Sequence, residues 1–194
     1  YPKLITAMAP SKTFNMAGLQ YSNIIIRDPQ LRATFHDRDK LFGMVNPLSL
    51  TAAKAAYDKG GPWHEELKVY LDQNFAFVKE FLQIRYQWDT LDPKLISKDL
   101  APVVTEGLGE KIFAILKQLN EKEFQGKNTS QSIVNVKVNI TKDKVVASFD
   151  KLLRIEGIPI PVPTTVSLNI IKDSPNKWNP IGLLVNGIVE HQTK

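Results

Sequence analysis

Cysteine is absent from the 194 residues, which excludes disulfides, thiolate metal sites and cysteine nucleophiles while leaving the redox compartment open. No apolar run approaches the roughly 18–20 residues of a membrane span, and no signal peptide is read at the start of the chain. Any membrane contact is expected through a segment absent from this chain. The three histidines, His36, His64 and His191, share no metal-ligand spacing, so no metal is expected. Charge of one sign is not concentrated either. The net charge of +5 comes from lysines spread along the chain, which argues for a solvated surface and against direct nucleic-acid binding.

What is present centres on Pro62 to Asp89. Leu67, Tyr70, Leu71, Asn74, Val78, Phe81, Leu82 and Arg85 recur at three- and four-residue steps, and that period predicts one long amphipathic helix. Gly61 and Pro62 supply its start. Before it, an apolar strand, a polar loop over residues 10–18 and a second strand through Ile24, Ile25 and Ile26 are expected. Lys12 lies on the loop. A lysine following a buried strand can lose part of its hydration and act as a Schiff-base nucleophile toward a carbonyl cofactor.

After the pivot helix, Asp92 followed by Pro93 predicts a cap and first turn. The helix that follows is expected to kink or break near Pro102, and Gly107 with Gly109 to separate it from a third helix around Ile112 to Leu119. From Ser130 the period becomes 2, with Val134, Val136, Val138 and Ile140 on one side. A polar turn at Lys142-Asp143-Lys144 leads into a second strand. Pro159, Pro161 and Pro163 remove alternate ladder donors, so that stretch must lie at an edge or in a loop. Trp178 to Val189 reads as the last strand. Helices followed by about four strands predict an α+β fold, with helices packed on one face of a curved antiparallel sheet.

Two resemblances follow from the wording of the chain. The run from Met8 through Lys12 and Gly18 to Leu19, with Asn23-Ile24-Ile25-Ile26, Asp28-Pro29, Asn46-Pro47-Leu48-Ser49 and Gly60-Gly61-Pro62-Trp63, resembles the lysine segment of PatB/MalY-type cystathionine beta-lyases, which are fold-type I pyridoxal-phosphate enzymes. The resemblance covers about the first 80 residues. It implies that Lys12 is the cofactor lysine and the base for the substrate's alpha proton, and that Ser11 lies near the cofactor phosphate. The family's upstream acidic residue, ring-stacking aromatic and phosphate loop have no counterpart here, and Arg85 and Arg154 match no carboxylate-binding motif.

Asn179-Pro180-Ile181-Gly182, preceded by Trp178, and the pattern Phe77, Phe81, Leu82, Tyr86, Trp88 resemble VirB-eight-like assembly factors of type IV secretion and conjugation systems. That resemblance implies a nuclear-transport-factor-two-like cone that works through protein contacts. The expected organisation is therefore a chimera: residues 1–73 a lyase-like fragment and residues 74–194 the secretion-type domain, sharing the helix 62–89. The leading expectation is a non-enzymatic scaffold without cofactor, on the periplasmic face of a bacterial inner membrane. It self-associates and binds channel subunits through Asn179, Pro180 and Gly182. The alternative is a cytoplasmic pyridoxal-phosphate carbon–sulfur lyase, or a piece of one, acting through Lys12 and Ser11.

Overall fold

The computed structural model describes residues 3–39, 45–141 and 144–192, and the chain divides into two units, Tyr1–Tyr70 and Leu71–Lys194. In the first, β1 (Ile5–Met8) pairs antiparallel with β2 (Asn23–Ile26), Ile5 facing Ile26 and Met8 facing Asn23. Helix α1 (Pro29–Asp39) is capped by Asp28, whose Oδ1 accepts from the N–H groups of Gln30 and Leu31 at 2.8 Å. Helix α2 (Pro47–Lys59) is capped by Asn46, with proline in its first turn. The Ser49 hydroxyl donates to the Leu19 carbonyl. The buried residues of this unit are few, Ile26, Ser49 and Ala53 among them, and β1 is mostly exposed.

The pivot helix is α3 (Gly61–Tyr86). Its apolar stripe divides in two: Phe77, Val78, Phe81, Leu82 and Tyr86 are buried, whereas Tyr70 and Leu71 are exposed and Leu67 and Asn74 half-buried. The helix stops before the expected Asp89 because the Trp88 backbone pairs with Gln131, in two hydrogen bonds of 2.8 and 2.9 Å. A residue committed to a strand partner cannot continue the helical ladder.

Helix α4 (Pro93–Leu100) begins at Asp92, whose carboxylate accepts from Lys94 and Leu95 N–H. The chain breaks ahead of Pro102 instead of bending through it, as the missing N–H and the restriction on the preceding residue favour. Helix α5 (Glu106–Leu119) already includes Gly107 and Gly109, so these glycines do not separate helices. The separator is Val103–Thr105, which bridges to Val185 and leaves Thr105 at the N-cap. A π-helical turn, Asn120–Phe124, closes α5.

Four strands follow in the order β3 (Thr129–Ile140), β4 (Val145–Ile155), β5 (Ile158–Lys172), β6 (Leu183–Gln192), all antiparallel. Residues 142 and 143 of the expected polar turn lie outside the described residues. Ala147, Phe149, Val166, Leu168 and Val185 are buried with Phe81, Leu82, Leu100, Ile112 and Leu116 of the helices. The core therefore lies between the helices and one face of the sheet, as the α+β reading expects. Each of the Val, Leu, Ile and Phe side chains among them contributes about 1.5–3 kcal/mol on burial.

Two strand readings are corrected, and the edge reading of the prolines holds within a strand. The alternation from Val134 to Ile140 is not continuous: the register jumps between Val134 and Lys137, Asn135 takes φ +56°, and Val134 turns outward while Ile133 packs on the core. This is a β-bulge, one extra residue that reverses which side chains face in. The proline stretch is a paired part of β5. It pairs with β4 from Ile158 to Pro163, whereas the described residues of β6 pair from Thr164 onward. Ile158, Ile160 and Val162 face β4 with their N–H groups, and all three missing donors fall on the side that has no partner among the described residues. The segment is thus an edge within a strand. Finally, Trp178 to Ile181 forms a turn and the last strand starts at Leu183.

Candidate functional site

In the first unit, Lys12 sits in the turn after β1 and is exposed, with Ser11 half-buried beside it. The loop is held by its own backbone, Phe14 N–H to Pro10 O at 3.0 Å and Met16 N–H to Ser11 O at 2.9 Å. Phe14 packs on Trp63 with ring centroids 5.5 Å apart, and a Cβ at Gly60 would meet the Phe14 ring at 2.4 Å, so the loop is seated against a glycine. The strand that should bury the lysine is itself open, Met8 being 55% exposed. Pyridoxal phosphate needs a lysine in a cleft, with a phosphate cradle and an acid on the ring nitrogen. An exposed lysine in a turn beside an exposed strand does not fit that need.

In the second unit, Asn176 and Asn179 build the turn before β6. Asn176 Oδ1 accepts from the N–H groups of Trp178 and Asn179 at 2.9 Å. Asn179 is buried and uses its whole amide internally: Nδ2 donates to Leu183 O at 2.7 Å, and Oδ1 accepts from Gly182 and Leu183 N–H at 3.1 and 3.4 Å. Gly182 has φ +65°, and a Cβ there would lie 2.6 Å from the Asp173 carbonyl oxygen. Only glycine combines that backbone with that approach. Asn179 and Gly182 therefore shape the turn, and Pro180 and Trp178 face solvent, Trp178 being 74% exposed. The Lys177 ammonium stands 5.2 Å from the Trp178 ring centroid.

A polar cluster that sequence reading did not assemble lies at the margin of the core. Tyr86 OH donates to Glu190 Oε2 at 2.8 Å, and Lys151 Nζ donates to Glu190 Oε1 at 2.5 Å. The Tyr86 ring lies 5.1 Å from that of Phe149, with the Arg85 guanidinium over it at 4.9 Å. Burial raises the Tyr86 phenol far above its ordinary value and lowers the Arg85 guanidinium. Burial also pushes the Glu190 carboxyl up, but the hydrogen bonds from Lys151 and Tyr86 and the charges of Lys151 and Arg85 outweigh it and leave it below its ordinary value. Arg85 Nε and Asn74 Oδ1 are buried without a hydrogen-bond partner among the described residues. The signal in the sequence was an acid and a lysine at inward-facing strand positions, Glu190 opposite Val166 and Lys151 two residues after Phe149. His36, His64 and His191 come together with no acidic set of metal-ligand size among the described residues.

A four-stranded antiparallel sheet with helices on one face, each of its edge strands joined by an isolated β-bridge to a segment between helices, gives the larger unit an α+β fold. Similar solved structures are TrwG, TraE and VirB8 chains. The TrwG component of a type IV secretion system from Bartonella birtlesii superposes with TM-score 0.52 at 12% identity, covering 64% of this chain and 92% of that one. The 70 residues of Tyr1–Tyr70 are too few to supply that share. A TraE protein in complex with 4-(1H-pyrrol-1-yl)pyridine-2-carboxylic acid gives TM-score 0.50 at 13% identity, over 63% of this chain and 96% of that one. In sequence, the chain is 49% identical over 81 residues to cystathionine beta-lyase PatB of Bacillus subtilis (strain 168), which is 40% of this chain. The chain spans 21% of that relative's length. No family model matches. Likeness to two unrelated proteins, one in fold and one in sequence, is that of the expected chimera.

Proposed function

We propose that the larger unit is an assembly domain of a type IV secretion or conjugative-transfer apparatus, acting by contact with other channel subunits and with copies of itself. The observation that carries this is the fold likeness to the TrwG component, which extends over 92% of that chain. The reading places the domain on the periplasmic face of an inner membrane and needs no cofactor. Its contact points are the turn of residues 176–182 and the exposed side of α3. The turn is internally hydrogen-bonded, so Trp178 is presented at low entropic cost, and a large aromatic anchor is the residue type that dominates interfaces. Trp178→Ala is expected to leave stability within about 0.5 kcal/mol. It should weaken self-association and subunit binding, measured by sedimentation and by co-purification with channel components, by about 2 kcal/mol. Unchanged association would remove the turn from the interface.

The 49% identity to the lyase favours a second reading for the first unit, a piece of a pyridoxal-phosphate carbon–sulfur lyase whose site another chain completes. Lys12 would be its cofactor lysine and Ser11 would lie near the phosphate. Pyridoxal phosphate titration followed by borohydride trapping and peptide mapping tests it. The exposure of Lys12 predicts weak labelling spread over many lysines and unchanged by Lys12→Ala. Tight labelling confined to Lys12 would put the lyase reading first.

A further inference from the structure

On the sheet face turned away from the helices, the β3 bulge borders a cavity of about 510 Å³ lined by Asn135, Lys137, Ser148, Asp150, Pro163 and Thr165, with Val136, Phe149 and Thr164 behind them. That volume is within the range of small-molecule sites. The bulge creates the arrangement. Val134 stands opposite Asp150 and Lys137 opposite Ser148, so Asn135 and Val136 together face the single residue Phe149. Asn135 takes the left-handed backbone that asparagine tolerates, and its Nδ2 donates to Asp150 Oδ2 at 2.8 Å. The Asp150 carboxylate is thereby oriented with its Oδ1 unused among the described residues. Ser148, opposite Lys137 on one side and Thr165 on the other, shares a hydroxyl hydrogen bond of 3.1 Å with Thr165.

The two charges of this wall make no ion pair with each other, nor with any other described residue. Their anchoring positions, Asp150 and the residue facing Lys137, are two apart on β4, about 6.6 Å along the strand. A dianion would be repelled by Asp150 and a polyamine by Lys137. One carboxylate is too few for a divalent cation, whose sites gather several oxygen ligands. We propose that this cavity binds a small zwitterion of the amino-acid or dipeptide class. Its ammonium meets Asp150, its carboxylate meets Lys137, and the Ser148 hydroxyl, the neighbour of both, bonds the groups between. The site is independent of the secretion reading and of Lys12.

The test is a titration of the whole chain with alanylalanine, followed by amide chemical shifts and calorimetry, beside N-acetyl-alanylalanine and alanylalanine amide, which each lack one charge. Saturable shifts should cluster at Asn135–Lys137, Ser148–Asp150 and Thr165, and loss of either charge should weaken binding by about tenfold or more. Asp150→Asn should weaken alanylalanine equally while leaving the N-acetyl compound unaffected, and Lys137→Gln should do the converse with the amide. Both positions are on the solvent face, and circular dichroism checks that the variants fold. Absence of saturable shifts, shifts scattered over the surface, or equal affinity for all three compounds would overturn the proposal.

Discussion

Gly182→Ala is expected to lower the stability of the larger unit by about 3 kcal/mol, the sum of a left-handed backbone forced on an L side chain and the displacement of packed backbone. The new methyl would lie 2.6 Å from the Asp173 carbonyl oxygen and 3.0 Å from Pro175 Cγ, and neither is the free end of a flexible side chain. The strain falls where Asp173 N–H donates to Gly182 O at 2.9 Å, one step beyond the Lys172–Leu183 pair that closes the β5–β6 ladder. Denaturant unfolding followed by the fluorescence of Trp88, the buried tryptophan, measures the loss. Hydrogen exchange should show early opening at Leu183–Val185. A change below about 0.5 kcal/mol, the scale of an ordinary surface substitution, would mean that the turn relaxes freely and does not hold Trp178 in place.

Glu190→Ala is expected to cost about 2–3 kcal/mol, somewhat less than removing one partner of a fully buried pair, because the Glu190 side chain is 28% exposed. The cost arises chiefly from what is left behind. Lys151, only 12% exposed, keeps its charge without a partner, and the Tyr86 hydroxyl loses its acceptor. Glu190→Gln separates charge from hydrogen bonding and gives the pH dependence its sign. The folded carboxyl titrates below its ordinary value of 4.5. Its ionised form therefore stabilises the fold fully above that value, and the contribution is lost as pH falls through the lower folded value. The stability gap between wild type and Glu190→Gln should be constant near neutrality and close below about pH 4.5. A gap independent of pH down to 3 would show that the charge contributes nothing there.

Much of the local structure was legible because local chemistry decides it. The Asp92-Pro93 start of α4 needs only a carboxylate within reach of the next N–H groups, and the Asn179–Gly182 turn is closed by bonds spanning three or four residues. The 3.6 period over residues 62–89 likewise yields α3. The same period could not say that only the part from Phe77 onward is buried, since burial depends on what packs against the helix. Residues 134–140 alternate in the sequence without a flaw, yet the bulge at Asn135 interrupts them, because register is settled against β4. The prolines at 159, 161 and 163 argued for an edge, and pairing with β4 alone made that edge part of a strand.

The candidate sites divide the same way. Lys12 was legible as a motif, but the openness of β1 was not, and exposure decides whether such a lysine carries chemistry. The Tyr86–Glu190 bond spans 104 residues, and no local pattern announces it. The zwitterion cavity exists only because a bulge on β3 sets Asn135 beside Asp150 across the ladder. By itself, the sequence determined the exclusions that follow from missing cysteine and missing apolar runs, the helix and strand periods, the caps and the tight turn. Those rest on steric and hydrogen-bonding preferences acting within a few residues. Tertiary structure alone decided which half of α3 is covered, the phase of β3 and the partners of Glu190 and Asp150, because burial and cross-strand pairing are set by residues far apart along the chain.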